Sequence, residues 1–309
     1  MFEEKKPETT SRTGHWYRIL RLAGVALLLG SMLGIIGYTL IASAAYAHGL
    51  THPGCQGLDI VPGNLDIGAI QDIVVPSHDG LRLRAWYLPP EKNTVIILLP
   101  GLGGSRDGML NEGTVLAQHG YGILATDLRS CAHPEGLSTL GYLEAADLHA
   151  ATSWVLDQPG VEHVAVLGFS LGGVTSILAA AENPRIEAVV AEGGFYDLAD
   201  DIANTGGQNT IWQRIVQKSI LLFFRRETNV NATDISPISV IGQISPRPIL
   251  LIYGELEADE GHARQQFSQA DSPKELWIVP DCGHGGYLQV APDEWEHHVI
   301  SFFDKAFAD

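Results

Sequence analysis

The stretch HVAVLGFSLGGVTSILAAAE, residues 163–182, decides how this chain folds. It opens with a solid apolar run, Val164 to Leu167, with none of the alternation that marks a half-exposed strand, so it suits a strand buried on both faces. It closes with the helix-forming run LGGVTSILAAAE. Between them lies Gly-x-Ser-x-Gly, with Gly168 and Gly172 flanking Ser170. A strand that turns abruptly into a helix leaves no room for side chains beside the turn, and the central serine is pushed outward from the sheet. A phosphate-binding loop would need more glycines before the helix and usually a lysine. The segment reads as strand, sharp turn and helix, with Ser170 as candidate nucleophile.

Similar apolar runs recur on both sides of this stretch: TVIILLP, GYGILATD, IEAVVAEG, PRPILLIYG and KELWIVPD. Helix-like stretches lie between or after them, at Asp107 to His119, Tyr142 to Leu156, Leu171 to Glu182 and Glu294 to Phe307. Asp72 to Val75 and Leu81 to Tyr87 flank Ser77-His78-Asp79-Gly80 and read as a hairpin. Strand and helix in alternation predict a doubly wound α/β domain with a mainly parallel sheet and helices on both faces. There is no internal repeat and no low-complexity tract. One interval, residues 197–246, is far longer than a crossover of ordinary length. Within it, Thr210 to Phe224 carries apolar residues on several helix faces, with Ile211, Ile215, Lys218 and Leu222 on one and Trp212, Val216, Ile220 and Phe223 on its neighbours. Such a helix is either packed in the core or a small helical cap over the site.

A serine hydroxyl needs a base to take its proton and donors for the oxyanion that forms on attack. Twelve histidines compete for the first role. His284 stands out, because it follows the last apolar run in the flexible loop DCGHGGY and comes after every candidate acid, giving the order Ser, acid, His. His15 precedes the apolar N-terminal run, His48 and His52 fall in a Gly/Pro-rich connection, and His297 and His298 lie on a helix whose default is solvation. The amide of Leu171 at the helix start is one expected oxyanion donor. The other is expected from LLPGLGGSRDG, with Leu102 as the choice. The acid should lie in YGELEADEGH, residues 253–262, which holds Glu255, Glu257, Asp259 and Glu260. His262 beside these acids lacks any metal-ligand spacing, and Asn231-Ala232-Thr233 is a glycosylation acceptor only in a host that glycosylates.

The first fifty residues belong to a different solvent. Residues 1–21 hold five basic side chains against three acids, and residues 22–47 hold no charge. That run of 26 residues would be about 39 Å long as a helix at roughly 1.5 Å per residue, enough to cross a hydrocarbon core of about 30 Å. It is expected to be a retained signal anchor, with residues 1–21 cytoplasmic by the positive-inside rule and the domain outside the cytoplasm. The alternative is secretion after cleavage at Ala47, since Ala45-Tyr46-Ala47 fits a peptidase site. Gly30 and Gly34 form a GxxxG that could support weak dimerisation. Residues 48–68 read as a linker or a strap, and the domain as 69–309. Of the net charge of −17, more than the whole lies beyond residue 21, which disfavours nucleic acid and anionic headgroups as partners.

These motifs together resemble the α/β-hydrolase superfamily, and within it the membrane-anchored bacterial serine hydrolases of the prolyl-oligopeptidase and Bem46-type branch. The resemblance runs over roughly residues 69–307 and rests on DGLRLRAWYLPP, GYGILATDLRS, GYLEAADLHAATSWV, GFSLGG, ISPRPILLIYGE and CGHGGY. It implies an eight-stranded sheet, no cofactor or metal, and cleavage of esters, thioesters or amides through an acyl-enzyme on Ser170 with His284 as base. In that family the acid stands three residues after the strand-ending glycine. This selects Glu257 and leaves Asp259, of the commoner residue type, as the alternative; Glu255 and Glu260 read as solvated charges. Two departures stand out. Pro100-Gly101 replaces the usual His-Gly, and Arg129-Ser130-Cys131-Ala132-His133-Pro134 replaces a glycine-rich Arg-Gly-x-Gly loop. Both loops and the one with Cys282 fall at strand carboxyl ends, so Cys131 and Cys282 are candidates either for a disulfide or for two free thiols. A peptidase or acyltransferase could use the same residues, and a non-catalytic binding protein could retain the fold. The apolar interval helix and the membrane tether hint at a small-molecule or lipid-like acyl substrate.

Overall fold

The computed structural model describes residues 12–57, 70–132, 136–204, 210–259 and 262–308. The chain starts with α1 (Arg12–Thr51), a helix that is long and apolar enough to cross a membrane. The helix runs four residues past the expected end of the apolar span, so the first part of the anticipated linker is helical. Residues 52–57 then form a strap, in which Gln56 bridges Gly104 and the Gln56 amide donates to the Gly103 carbonyl at 2.7 Å.

The hairpin forms as β1 (Gln71–Pro76) and β2 (Arg82–Leu88), closed by a hydrogen bond from Ser77 N to Leu81 O. Six further strands follow: β3 (Thr94–Leu99), β4 (Gly122–Thr126), β5 (His163–Phe169), β6 (Ala188–Glu192), β7 (Ile249–Gly254) and β8 (Lys274–Val279). Their order in the sheet is β1-β2-β4-β3-β5-β6-β7-β8. β2 is antiparallel to both neighbours, and all pairings from β4 to β8 are parallel. Each residue of β3, β4, β6 and β7 is buried, as solid apolar runs demand when helices cover both faces.

The main helices are α2 (Leu110–Gln118), the short α3 (Arg129–Ala132), α4 (Tyr142–Leu156), α5 (Leu171–Glu182), α6 (Leu198–Asn204), α7 (Ile211–Thr228), α8 (Pro237–Val240), α9 (Ala263–Gln269), α10 (Tyr287–Val290) and α11 (Pro292–Ala306). One core cluster joins the sheet to α4 and α5, and another joins its opposite face to α2 and α11. The long interval contributes α6, α7 and α8. Here α7, begun by a Thr210 and Gln213 capping box, buries Ile220 and Phe224 in a third cluster with Leu171, Val174 and Ala47. The inner stripe of the helix is core, while Ile211, Trp212, Ile215 and Leu222 remain exposed.

The loop that departs from the Arg-Gly-x-Gly pattern is held by charge. Arg129 is buried, with its Nε donating to Asp147 at 2.9 Å and its Nη2 to Asp79 at 2.8 Å. Burial alone would depress the guanidinium, but these carboxylates overcome it and raise its pKa. The Arg129 hydrogen bond, against an opposing burial effect, lowers the Asp79 carboxyl to about 2. This ion pair ties the β1–β2 turn and α4 to the loop after β4.

The cysteine pairing differs from the expected Cys131–Cys282 candidate: the disulfide joins Cys55 to Cys131, with Cα atoms 4.7 Å apart. The strap carries Cys55 over the 101–104 loop to meet α3. Cys282 is a buried free thiol that donates to the Gly285 carbonyl at 3.5 Å, and burial raises its pKa.

Candidate active site

Ser170 sits at φ 53° and ψ −114°, between β5 and α5. A Cβ on Gly168 would come under 3.0 Å from the Gly172 carbonyl, and one on Gly172 would come equally close to the Leu99 carbonyl. Glycine is therefore required at both positions for steric reasons, and the close packing braces a serine backbone that is strained for an L-residue. The Ser170 amide donates to the Glu192 carbonyl at 2.6 Å, which fixes the turn against the end of β6.

The carboxyl ends of β7 and β8 bring up the other two side chains. Their loops are joined backbone to backbone: Glu255 N donates to Val279 O at 2.9 Å and Leu256 N to Cys282 O at 3.0 Å. A Cβ on Gly254 would collide with the carbonyls of Cys282 and Gly283, so the strand-ending glycine permits this close approach. Glu257 and His284 therefore meet. His284 Nδ1 lies 2.5 Å from Glu257 Oε2, and its Nε2 lies 3.0 Å from Ser170 Oγ. The ring is half exposed and rests on Phe169, with centroids 5.0 Å apart.

Glu257 is held from three sides. Its Oε1 accepts from the Gly254 amide at 3.0 Å and from the Tyr287 hydroxyl, while Oε2 faces His284. Burial works to raise this carboxyl, yet the three hydrogen bonds outweigh it and hold the group below its ordinary value. It is thus an anion at neutral pH, suited to orient the ring and stabilise its cationic form. Tyr287 shows the converse: burial first, then the adjacent carboxylate, raise its hydroxyl pKa.

Of the other acids, Asp259 is exposed and Glu255 accepts from the Asp281 amide at 3.1 Å; Glu260 lies outside the described residues. The His262 ring lies tilted against Tyr196, with centroids 3.9 Å apart. The loop bearing Leu102 reaches the candidate nucleophile, since a Cβ on Gly101 would stand 3.4 Å from Ser170 Cβ and 3.2 Å from the Phe169 ring. Leu102 and Leu171 belong to the same apolar cluster beneath α7.

Two residues that bear on the site were not singled out from sequence. Tyr287 ends the quoted CGHGGY motif, but only its fold-brought contact with Glu257 marks it. Glu192 is buried at the end of β6, where Trp295 Nε1 donates to its Oε1 at 2.7 Å. Burial, aided by the charges of Glu112 and Glu257, pushes its carboxyl up to about 8. A lone Glu at a strand end carries no sequence signal for this.

The sheet order and the sharp turn at Ser170 define an α/β-hydrolase. Residues 44–234 match the X-Pro dipeptidyl-peptidase (S15) family, and the chain belongs to that family. It is 23% identical over 255 residues to the uncharacterized protein YfhR of Escherichia coli (strain K12), covering 78% of this chain and 83% of that protein. To the polyketide transferase grgF of a Penicillium species it is 28% identical over 260 residues, covering 69% and 88% of the two chains. The esterase Pf2001 of Pyrococcus furiosus superposes with a TM-score of 0.65 at 24% identity, covering 83% of this chain and 98% of the esterase; at that identity the likeness concerns the fold.

Proposed function

We propose that this protein is a serine hydrolase cleaving carboxylic ester, thioester or amide bonds through an acyl-enzyme on Ser170. One observation carries the reading: Ser170 Oγ, His284 and Glu257 form a continuous hydrogen-bonded line, with spacings of 3.0 and 2.5 Å. In the mechanism, His284 Nε2 takes the hydroxyl proton as Oγ attacks the acyl carbon. Glu257 holds the Nδ1 proton and balances the imidazolium charge. The oxyanion is received by the amides of Leu102 and Leu171. His284 then gives its proton to the leaving group, and water, activated by the same ring, releases the acid and regenerates Ser170 Oγ–H.

An apolar groove elsewhere on the domain supports an acyl or lipid-like substrate. A groove of about 470 Å³ lies between α1 and α7, lined by Ile35, Tyr38, Ala42, Trp212, Val216 and Ile220, among others. Ile220, on one wall of the groove, also packs in the buried cluster containing Leu171 and Leu102, so the groove and the nucleophile loop share one apolar core. A helix as apolar as α1 supports an anchored protein with its groove at the membrane surface. The family match favours peptide-bond cleavage as a second reading, and the transferase relative favours an acyl acceptor other than water.

A fluorophosphonate probe on the full chain in detergent tests the catalytic claim: labelling is expected for the native protein and lost in Ser170→Ala. Absence of labelling, or equal labelling of both, would leave a non-catalytic binding protein. Esters and thioesters of increasing acyl length, alongside Xaa-Pro amides, then rank the three readings.

A further inference from the structure

Away from Ser170, the end of α1 and the end of α7 bring together a set of side chains that the hydrolytic reaction does not use. His48 and His52 stand four residues apart at the last turn of α1, a spacing that places both on one helix face. Their rings stack with centroids 4.2 Å apart. Glu227, on the last turn of α7, faces both: its Oε2 lies 3.6 Å from His48 Nδ1 and 3.5 Å from His52 Nδ1. One ligand atom from each residue can be chosen so that all three lie within 4.8 Å of one another, which among the described residues is found at this group.

We propose that His48, His52 and Glu227 form a divalent-cation site, with zinc as its ion, that clips the anchor helix to the cap. The spacing fits the chemistry. In tetrahedral coordination with bonds of about 2.0–2.1 Å, ligand atoms stand about 3.3 Å apart. Both histidine-to-glutamate separations are within a few tenths of an ångström of that edge. Two imidazoles and one carboxylate suit zinc, whereas calcium and magnesium select oxygen-only sets and copper(I) selects thiolates. The nearest cysteine, Cys55, is held in its disulfide. Three protein ligands leave a fourth position for water.

The ligands are held in place before any ion binds. Thr51, fully buried, donates its hydroxyl to Glu227 Oε2 and contacts His52 Nδ1 at 2.9 Å. Its carbonyl accepts from the Ser138 amide at 2.7 Å, which binds the helix end to the loop before α4. An ion would take over the shared oxygen and the ring nitrogen from this hydroxyl, leaving Thr51 as the supporting residue. A short path leads from the site toward Ser170. The strap that follows His52 packs Pro53 and Gly54 against Gly103, one residue after the expected oxyanion donor Leu102. The site stands on geometry independent of the catalytic reading, and its test does not use turnover.

The test uses the full chain in detergent, disulfide intact, stripped with chelator and carrying no polyhistidine tag. Zinc is titrated against a competing chromophoric chelator. One zinc per chain is expected, with affinity weakened at least tenfold in both His48→Ala and Glu227→Gln, and a rise in Tm on zinc addition that both variants lose. The His48 side chain is 62% exposed, so its removal opens no core, and an unchanged circular dichroism spectrum confirms that the variant folds. Replacing His297 and His298 together controls for surface histidines and should leave binding intact. Cobalt(II) in place of zinc should give visible bands of tetrahedral intensity that the His48 variant lacks. Failure to bind one equivalent, affinity unchanged in the two ligand variants, or loss of binding in the His297/His298 variant instead would overturn the proposal.

Discussion

Ser170 occupies backbone space that a side-chain-bearing residue enters only when its surroundings hold it there, and Gly168 and Gly172 supply those surroundings. This part of the site was legible in sequence, because the constraint is local: the spacing of two glycines about a serine, between strand and helix, encodes the turn. The candidate acid was not legible from local rules. Four carboxylates in ten residues satisfy the same order and composition, and what separates Glu257 from Asp259 is the contact of two loops that lie far apart in sequence. The distinction gives a direct prediction. Glu257→Gln keeps the shape but removes the charge that balances the imidazolium, and kcat is expected to fall about 10³- to 10⁴-fold. Asp259→Asn, on an exposed side chain, should remain within about twofold of native activity. Steady-state kinetics on a chromogenic ester decide it, and the reverse ranking would overturn the assignment. Glu192 permits a second prediction. Its folded carboxyl keeps its proton up to about 8 against an ordinary 4.5. The stability it contributes is therefore complete below the unfolded value and is lost as pH rises through the folded one. Glu192→Gln still accepts from Trp295 Nε1 but cannot ionise. Denaturant unfolding should show the variant gaining up to about 3–4 kcal/mol on native between pH 5 and 8; parallel curves would mean that Glu192 does not titrate in this range.

At the scale of elements, the parallel strands were readable because burial on both faces leaves solid apolar runs. The hairpin was readable from its turn. The short α6, α8 and α9 were not singled out, since helices of four to seven residues carry too little periodicity to announce themselves. The sequence of α7 reads as a helix but leaves two roles open, and the reason is physical: apolar residues on several faces suit a helix touching two different surroundings. Ile220 and Phe224 face the protein, while Ile211, at 80% exposure, and Leu222, at 62%, face outward. If that outer stripe meets lipid, making it polar should change partition rather than folding. Replacing Ile211, Ile215 and Leu222 with serine is expected to leave Tm within about 2 °C, because no core contact is lost. It should reduce binding of the chain lacking residues 1–34 to phosphatidylcholine vesicles by about tenfold or more, given roughly 25 cal/mol per Å² of apolar surface. Vesicle co-sedimentation with unchanged binding would show that the stripe does not contact lipid.

For the whole molecule, α1 and the domain cannot be treated as separate pieces, and this bears on whether the chain is cut at Ala47. By composition alone, Ala45-Tyr46-Ala47 is an acceptable cleavage site at the end of an apolar run. In the folded protein, however, α1 continues through it without a break to Thr51, and Ala47 is 0% exposed, packed in the cluster that holds Leu171 and Phe224. Proteolysis requires accessible, locally unfolded backbone, and cleavage here would strip one wall from the α1–α7 seam and expose Ile220. A few residues later Cys55 is joined to Cys131, a bond that forms and persists in an oxidising compartment. The positive-inside rule, applied to the basic residues before the apolar run, predicts an N-terminus on the opposite, cytoplasmic side. The burial of Ala47 and the disulfide together predict a chain that keeps α1 and folds in an oxidising compartment. Intact mass measurement on protein recovered from membranes of an expressing bacterium should therefore find residues 1–47 still present. Alkylation without reductant should modify Cys282 after unfolding and leave Cys55 and Cys131 unmodified. A soluble product beginning at His48 would show that the peptidase acts before α1 docks, and that the buried position of Ala47 is reached too late to protect it.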